Sequence, residues 1–163
     1  MPPTQDPHNP SFAGRTIADP DRLSYLRTAS ALRAAGRPGG DFVDIHLRAI
    51  ALDAVDPQRL GRFWSEVTGR EIITSRPDLL RLASDTPGGP VLLFLRVPES
   101  KVVKDRIHLD LETEDRAAEV DRIMALGATF HSEVKETDHE WTVLQDPEGN
   151  EFCIIQALST GTD

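Results

Sequence analysis

Two segments of the chain repeat one order of hydrophobic and polar positions. Residues 49–69, AIALDAVDPQRLGRFWSEVTG, alternate as a strand does, then start a helix at an Asp-Pro pair and end at Gly69. Residues 108–127, HLDLETEDRAAEVDRIMALG, repeat the alternation, with an acidic helix start at Asp115 and a final Gly127. This self-similarity predicts two modules of the same structural unit.

Three shorter strands follow each predicted helix. In the first module they are EIITS, LLRLAS and VLLFLRV, and in the second ATFHSEV, EWTVLQ and EFCIIQ, separated by turn segments such as DTPGGP and DPEGN. One helix cannot cover a four-stranded sheet alone, so we expect the modules to pack together. The predicted fold is α+β: eight strands in a mixed, half-open sheet with a concave face. The apolar helix positions are Leu60, Phe63, Trp64 and Val67 in the first module and Ala117, Val120, Ile123 and Met124 in the second.

The stretch RIHLDLETED, residues 106–115, carries the strongest chemical signal. Apolar residues alternate there with His108, Asp110 and Glu112, so one face of the strand holds an imidazole and two carboxylates. Two interpretations stay open for His108: a framework histidine, or a general base whose pKa is shifted by Asp110 or Glu112. Asp53 lies at the place in the first module that matches Glu112, and paired carboxylates can share acid and base roles.

Composition narrows the class of partner. The 163 residues carry a formal net charge of -9 with a pI near 5.0, which disfavours nucleic acid and anionic membrane surfaces. No apolar run reaches the length of a membrane span, and the N-terminal residues lack the pattern of a secretion signal. The lone Cys153 cannot form an intrachain disulfide, and we expect it to be buried rather than nucleophilic. A cytoplasmic protein with a small-molecule or protein partner is predicted.

Residues 1–44 differ from the rest of the chain. A Pro-rich arm precedes a predicted helix that begins at Asp19 and ends near Gly36, and this helix could join the main domain or a partner chain. The main domain is expected at residues 45–158, with modules at about 46–98 and 105–156, and a tail at 159–163.

The combination of FWSEVTG, RIHLDL and DPEGNEF within this repeat resembles the vicinal oxygen chelate superfamily, most closely its bacterial glyoxalase-like and bleomycin-resistance-like proteins. The resemblance covers about residues 46–156. It implies two βαβββ modules, a ligand site on the concave face and a homodimer. The superfamily includes isomerases, lyases, dioxygenases and metal-free drug-binding proteins, so the resemblance implies no single reaction.

The resemblance also implies where a metal would bind. Metal-dependent members take ligands from the first and last strands of both modules. His108 and Cys153 match two of these positions, but Ala49 and the apolar strand VLLFLRV occupy the other two. A catalytic ion needs about three protein ligands, so we expect no cofactor, with a divalent Zn, Ni, Mn or Fe ion on His108 and Cys153 as the alternative. Asp53, Asp110 or Glu112 could supply a further ligand, although their heights along the strands differ.

These observations are compatible with three functions. The favoured one is a metal-free protein that binds a small aromatic or oxygenated molecule. The second is a glyoxalase-like lyase or isomerase, or a dioxygenase-type enzyme, using His108 as base or metal ligand. The third is an assembly module. The predicted ligand-binding residues on the concave face are Asp53, Leu93, Leu95, Trp141, Val143, Cys153 and Ile155.

Overall fold

A computed structural model describes residues 45–135 and 140–157. The predicted arm and helix in residues 1–44 and the tail 159–163 lie outside these residues. The described elements follow the predicted order twice, strand, helix and three strands. They are β1 (Ala49–Ala54), α1 (Pro57–Thr68), β2 (Ile72–Arg76), β3 (Leu79–Leu82), β4 (Val91–Arg96), β5 (Leu109–Thr113), α2 (Arg116–Ala125), β6 (Thr129–Lys135), β7 (Glu140–Gln145) and β8 (Glu151–Gln156).

Each module forms its own four-stranded mixed sheet. The strand orders are β1-β4-β3-β2 and β5-β8-β7-β6. The β1–β4 and β5–β8 pairs are parallel, whereas the other pairs are antiparallel. The predicted pair of βαβββ modules is therefore confirmed. Strands β1 and β5 are equivalent edge strands, and of the predicted site residues Asp53 lies on β1 and Asp110 and Glu112 lie on β5.

The two helices begin as the sequence predicts. The Asp56 carboxylate accepts hydrogen bonds from the backbone N–H groups of Gln58 and Arg59, and Asp115 accepts one from Ala118. Both aspartates therefore satisfy N–H groups that the first helical turn leaves without partners. Helix α1 ends at Gly69, whose φ of 68° lies in the left-handed region that glycine adopts without a steric penalty.

The hydrophobic core is shared by both modules. The Trp64 ring of α1 lies 5.0 Å from the Phe152 ring of β8, and Phe63 lies 6.2 Å from the same ring, measured between centroids. All four predicted apolar residues of α1 are buried. For α2 the prediction was wrong at two positions, because Ala117 and Met124 are exposed and only Ile123 is fully buried.

The second module also contacts both ends of α1. The Glu148 carboxylate accepts hydrogen bonds from the N–H groups of Val55 and Asp56, at 3.3 and 2.9 Å. At the other end, the Arg122 guanidinium donates to the carbonyl oxygens of Glu66 and Val67, both at 3.1 Å. A negative charge thus lies at the helix start and a positive charge at its end, which is the favourable arrangement with the helix dipole.

Among the described residues, no helix has the length and apolar character needed to cross a lipid bilayer.

Candidate functional site

A cavity of about 420 Å³ lies between strand β1 and the start of β5, and we call it the β1–β5 groove. The first module supplies one wall through the edge strand β1, and the second supplies the other through β5 and the loop before it. The residues that line it are Ile50, Ala51, Leu52, Asp53, Trp64, Val97, Glu99, Ser100, Lys101, Asp105, Ile107, His108, Leu109, Asn150 and Glu151.

Several charged groups of this groove are already paired. Lys104 lies 3.2 Å from the buried Glu151 carboxylate, which also accepts the N–H of Asp105. Burial works to raise the pKa of Glu151, but the hydrogen bond and charge of Lys104 outweigh it and hold that pKa below its ordinary value. Lys101 pairs with Asp105 at 3.8 Å. The side chain of Asp53 makes no hydrogen bond or ion pair with the described residues, so its carboxylate is available to a ligand, as is the Nε2 atom of His108.

His108, Asp110 and Cys153 form a cluster at the β5–β8 edge. The His108 Nδ1 atom lies 3.0 Å from Asp110 Oδ1 and 3.8 Å from Cys153 Sγ. His108 and Asp110 lie at different positions along the strand, as expected. Their side chains are still in contact, because His108 lies just before β5 and its ring reaches the carboxylate. An ionised carboxylate only accepts hydrogen bonds, so Nδ1 donates and Nε2 carries the lone pair of the neutral ring.

The Cys153 thiol of this cluster is shielded from solvent. Cys153 is 6% exposed, as the sequence predicts. Burial and then the Asp110 carboxylate raise the pKa of the Cys153 thiol to about 11. The thiol is therefore protonated near neutral pH, which argues against a nucleophilic role.

A second cavity, of about 390 Å³, lies between the end of α1 and strand β5. Asp110 and Glu112 line it together with Arg70, which pairs with Asp85 at 2.8 Å. Glu112 makes no hydrogen bond or ion pair with His108 in the described part of the chain. Of the two carboxylates predicted to act with His108, the structure brings only Asp110 into contact.

The predicted concave-face residues lie on the sheet faces opposite the core. In the second sheet, Trp141 is opposite Ile155 and Val143 is opposite Cys153. Trp141, Val143, Ile155, Leu93 and Leu95 are half-buried, whereas the alternating residues Leu144, Ile154, Leu92 and Phe94 are buried. The predicted alternation is confirmed. Neither of the two cavities described above is lined by these half-buried residues or by Cys153.

Sequence patterns did not identify several residues of the β1–β5 groove. Lys101 and Asp105 lie in the segment between β4 and β5, which has no strand or helix periodicity, and Asn150 and Glu151 belong to a turn and the strand after it. The feature that could have indicated this groove is the position of β1 and β5 as the first strands of their modules. Equivalent first strands of two duplicated modules are a natural place for a shared cleft.

The four-position metal site that the resemblance implies is not formed by the residues that the structure describes. Ala49 carries no donor atom, and the outward residues of β4 before Arg96 are Leu93 and Leu95. In the described ranges, the donors that do converge are His108, Asp110 and Cys153, and all three belong to the second module.

Comparison with known proteins agrees with this architecture. The family model described as glyoxalase-like domain matches residues 49–155, more than half of the chain. A glyoxalase/bleomycin resistance protein/dioxygenase family enzyme from Burkholderia phytofirmans PsJN is 21% identical, with a TM-score of 0.59, covering 70% of this chain and 100% of its own. The antibiotic binding protein TnmS3 from Streptomyces sp. CB03234 is 16% identical, with a TM-score of 0.52, covering 71% and 98%. The fosfomycin resistance protein FosX from Mesorhizobium loti is 12% identical, with a TM-score of 0.56, covering 73% and 97%. No curated protein matches the sequence significantly.

Proposed function

The chain belongs to the glyoxalase-like domain family of the vicinal oxygen chelate superfamily, and from this premise we propose that it binds a small organic molecule in the β1–β5 groove. The observation that carries the proposal is the groove itself, in which Asp53 and His108 from opposite modules face one cavity of about 420 Å³. Cavities that bind small ligands have volumes of about 300–1,000 Å³, apolar walls and a few convergent polar groups.

The walls and polar groups suggest the kind of ligand. Ile50, Leu52 and Leu109 offer apolar contacts, while the Asp53 carboxylate accepts hydrogen bonds and the His108 ring can donate or accept. An aromatic or oxygenated molecule with a hydrogen-bond donor fits this combination. One structural neighbour, TnmS3, is described as antibiotic binding, which is in line with a binding role.

The test is a thermal-shift screen of aromatic and oxygenated compounds on metal-free protein, followed by titration of the hits. A ligand that binds only the folded state raises the melting temperature as its concentration grows. Ala51→Phe should abolish the shift, because Ala51 is an exposed residue of the groove and a phenyl ring there occupies the cavity. Ala117→Phe, on the exposed face of α2, is the matched control and should leave the shift intact.

A comparison of Ala51→Phe with Trp141→Phe distinguishes binding in the β1–β5 groove from binding on the sheet faces opposite the core. We propose Leu93, Leu95, Trp141, Val143 and Ile155 as further ligand contacts, on the sheet faces opposite the core. If Trp141→Phe removed binding while Ala51→Phe did not, the ligand would lie on that face and the groove assignment would be wrong.

A second candidate function is favoured by the 3.0 Å contact between His108 Nδ1 and Asp110 Oδ1. A carboxylate that holds Nδ1–H leaves Nε2 free to accept a proton, as a general base of a lyase or isomerase does. His108→Ala should then abolish turnover of a substrate found in the screen, and Asp110→Asn should lower kcat and alter its pH profile. Unchanged kcat in His108→Ala would exclude the catalytic role.

The homodimer and the cytoplasmic location remain predictions, and light scattering on the purified chain tests the first.

A further inference from the structure

The charged groups that line the β1–β5 groove are not balanced, and the excess is negative. We propose that the ligand of this groove is an organic cation, in which a flat apolar body carries a protonated amine. This inference rests on the proposed function, because it concerns the same groove and names the class of molecule that the groove selects. It also states which molecules the groove disfavours, namely small acids such as carboxylates.

The nitrogen donors of the groove are already engaged. Each side chain of the described lining that carries such a donor contacts an aspartate carboxylate. The pairs are Trp64 Nε1 with Asp146 at 3.1 Å, Asn150 Nδ2 with Asp146 at 2.9 Å, His108 Nδ1 with Asp110 at 3.0 Å and Lys101 Nζ with Asp105 at 3.8 Å. The lone pair of His108 Nε2 adds an acceptor rather than a donor. An anionic ligand would therefore have to compete with an aspartate for each of these donors.

Two carboxylates of the groove have no positive partner. The acidic residues of its lining are Asp53, Glu99, Asp105 and Glu151. The last two are compensated, the first of them by Lys101 at 3.8 Å and the other by Lys104 at 3.2 Å. The side chains of Asp53 and Glu99 make no hydrogen bond or ion pair with the residues that the structure describes. The groove therefore presents negative charge and hydrogen-bond acceptors to a ligand.

An organic cation suits these carboxylates better than a metal ion does. The described side chains that converge closely enough to bind an ion do not include Asp53 or Glu99. Asp53 belongs to β1 and Glu99 to the segment between β4 and β5, and apolar Ile50, Leu52 and Leu109 line the same cavity. A protonated amine only donates, and its hydrogen bonds to carboxylates are stronger than those between neutral groups. An apolar body can meanwhile contact the aliphatic side chains.

The charge of the whole chain acts in the same direction. Its formal net charge is -9, and a negative field raises the local concentration of cations near the protein surface. The same field repels anions. A cationic ligand is thus favoured during its approach as well as in the bound state.

The test is a matched series of compounds titrated onto the full chain, purified without a histidine tag and freed of metal. Naphthylmethylamine, naphthylmethanol and naphthoate share one aromatic body and are cationic, neutral and anionic near neutral pH. Isothermal titration calorimetry should give a Kd for the amine roughly tenfold below that of the alcohol, because hydrogen bonds between charged groups contribute more. Naphthoate should bind most weakly. The preference for the amine should decrease as the NaCl concentration rises, since salt screens exposed charges.

Two isosteric variants each remove one negative charge from the groove. Asp53→Asn and Glu99→Gln should each weaken the binding of naphthylmethylamine severalfold and reduce its preference over naphthylmethanol. Asp121→Asn is the matched control, because Asp121 is an exposed acid of α2 that does not line the groove. It removes the same charge from the chain and should bind the amine as the unmodified protein does.

The outcomes distinguish this inference from the function on which it rests. Binding of naphthylmethanol or naphthoate at least as tight as that of the amine would overturn the cation, while the groove would remain the binding site. An equal loss of amine affinity in Asp121→Asn and Asp53→Asn would also overturn it, because overall charge would then explain the preference. If no compound of the series bound, the inference would fail, whereas the proposed function would fail only if Ala51→Phe left the binding of every screening hit intact.

Discussion

His108 and Ala49 occupy equivalent positions in two copies of one module, yet only one of them can donate an electron pair. Because the face of β4 is apolar as well, the donor groups that converge in the described part of the chain all belong to the second module. Strand alternation and the resemblance both pointed to His108, and the resemblance pointed to Cys153. The sequence left open whether Asp110 or Glu112 would contact His108, since that contact depends on how the backbone enters β5.

Arg116 illustrates a residue whose role only the structure reveals. Its guanidinium, 12% exposed, lies 2.8 Å from Glu133 on β6 and 2.9 Å from Glu140 on β7. The Arg116 hydrogen bond is the largest cause that holds the pKa of Glu133 below its ordinary value. The start of α2 is thereby joined to strands β6 and β7 of the second sheet.

We predict that this ion pair makes stability depend on pH. A carboxyl whose pKa is lowered in the folded state adds stability above its unfolded pKa, near 4.5, and loses it as the pH falls through the folded pKa. Glu133→Gln should therefore be less stable at neutral pH and lose less stability on acidification. Urea unfolding at several pH values measures this. Glu114→Gln, also exposed, is the control, and an equal pH dependence in both variants would contradict the prediction.

Helix α1 is stabilised from outside its own module. Glu148 binds the N–H groups before its first turn, and Arg122 binds its last carbonyl oxygens. The sequence predicted the bounds of α1 well, because the Asp-Pro start and Gly69 act locally. It gave no sign of the two contacts, since Glu148 lies in the predicted turn DPEGN and Arg122 is not one of the apolar positions predicted for α2.

Removing either contact should destabilise the protein by about 0.5–2 kcal/mol, because each combines hydrogen bonds with a charge at a helix end. The two ends of a 12-residue helix are roughly 18 Å apart. We therefore expect Glu148→Ala and Arg122→Ala to be additive within about 0.5 kcal/mol in the double variant. Denaturant unfolding measures all three.

The control for Arg122→Ala is Glu119→Ala, which breaks the Arg122–Glu119 ion pair and leaves the carbonyl contacts of α1 in place. If Glu119→Ala were as costly as Arg122→Ala, the ion pair within α2 would explain the effect and the contact with α1 would not.

The two modules of the domain share one hydrophobic core. Phe152 of the second module lies against Trp64 and Phe63 of the first, so neither sheet buries its apolar face alone. The duplicated pattern predicted that the modules pack together. It did not predict the β1–β5 groove, because the shape of a cleft between modules depends on how they meet and on an irregular connecting segment.

Phe152→Ala should lower the free energy of unfolding by about 3–5 kcal/mol, the range for removing a buried aromatic ring. Both modules should unfold in one transition, so tryptophan fluorescence and far-ultraviolet circular dichroism should give the same midpoint. Phe130→Ala is the control and should have a small effect, because Phe130 is 54% exposed. Two separated transitions would show that the modules fold independently.

The segment between β4 and β5 is the covalent connection from one module to the other, and its Val102 and Val103 are 92% and 75% exposed. Non-covalent contacts from Phe152, Glu148 and Arg122 hold the halves together without it. A protease cut at Val102 should therefore leave a nicked complex that elutes intact, and two separately expressed fragments should reconstitute it on mixing. The domain could then serve as a split reporter whose halves are brought together by fused partners.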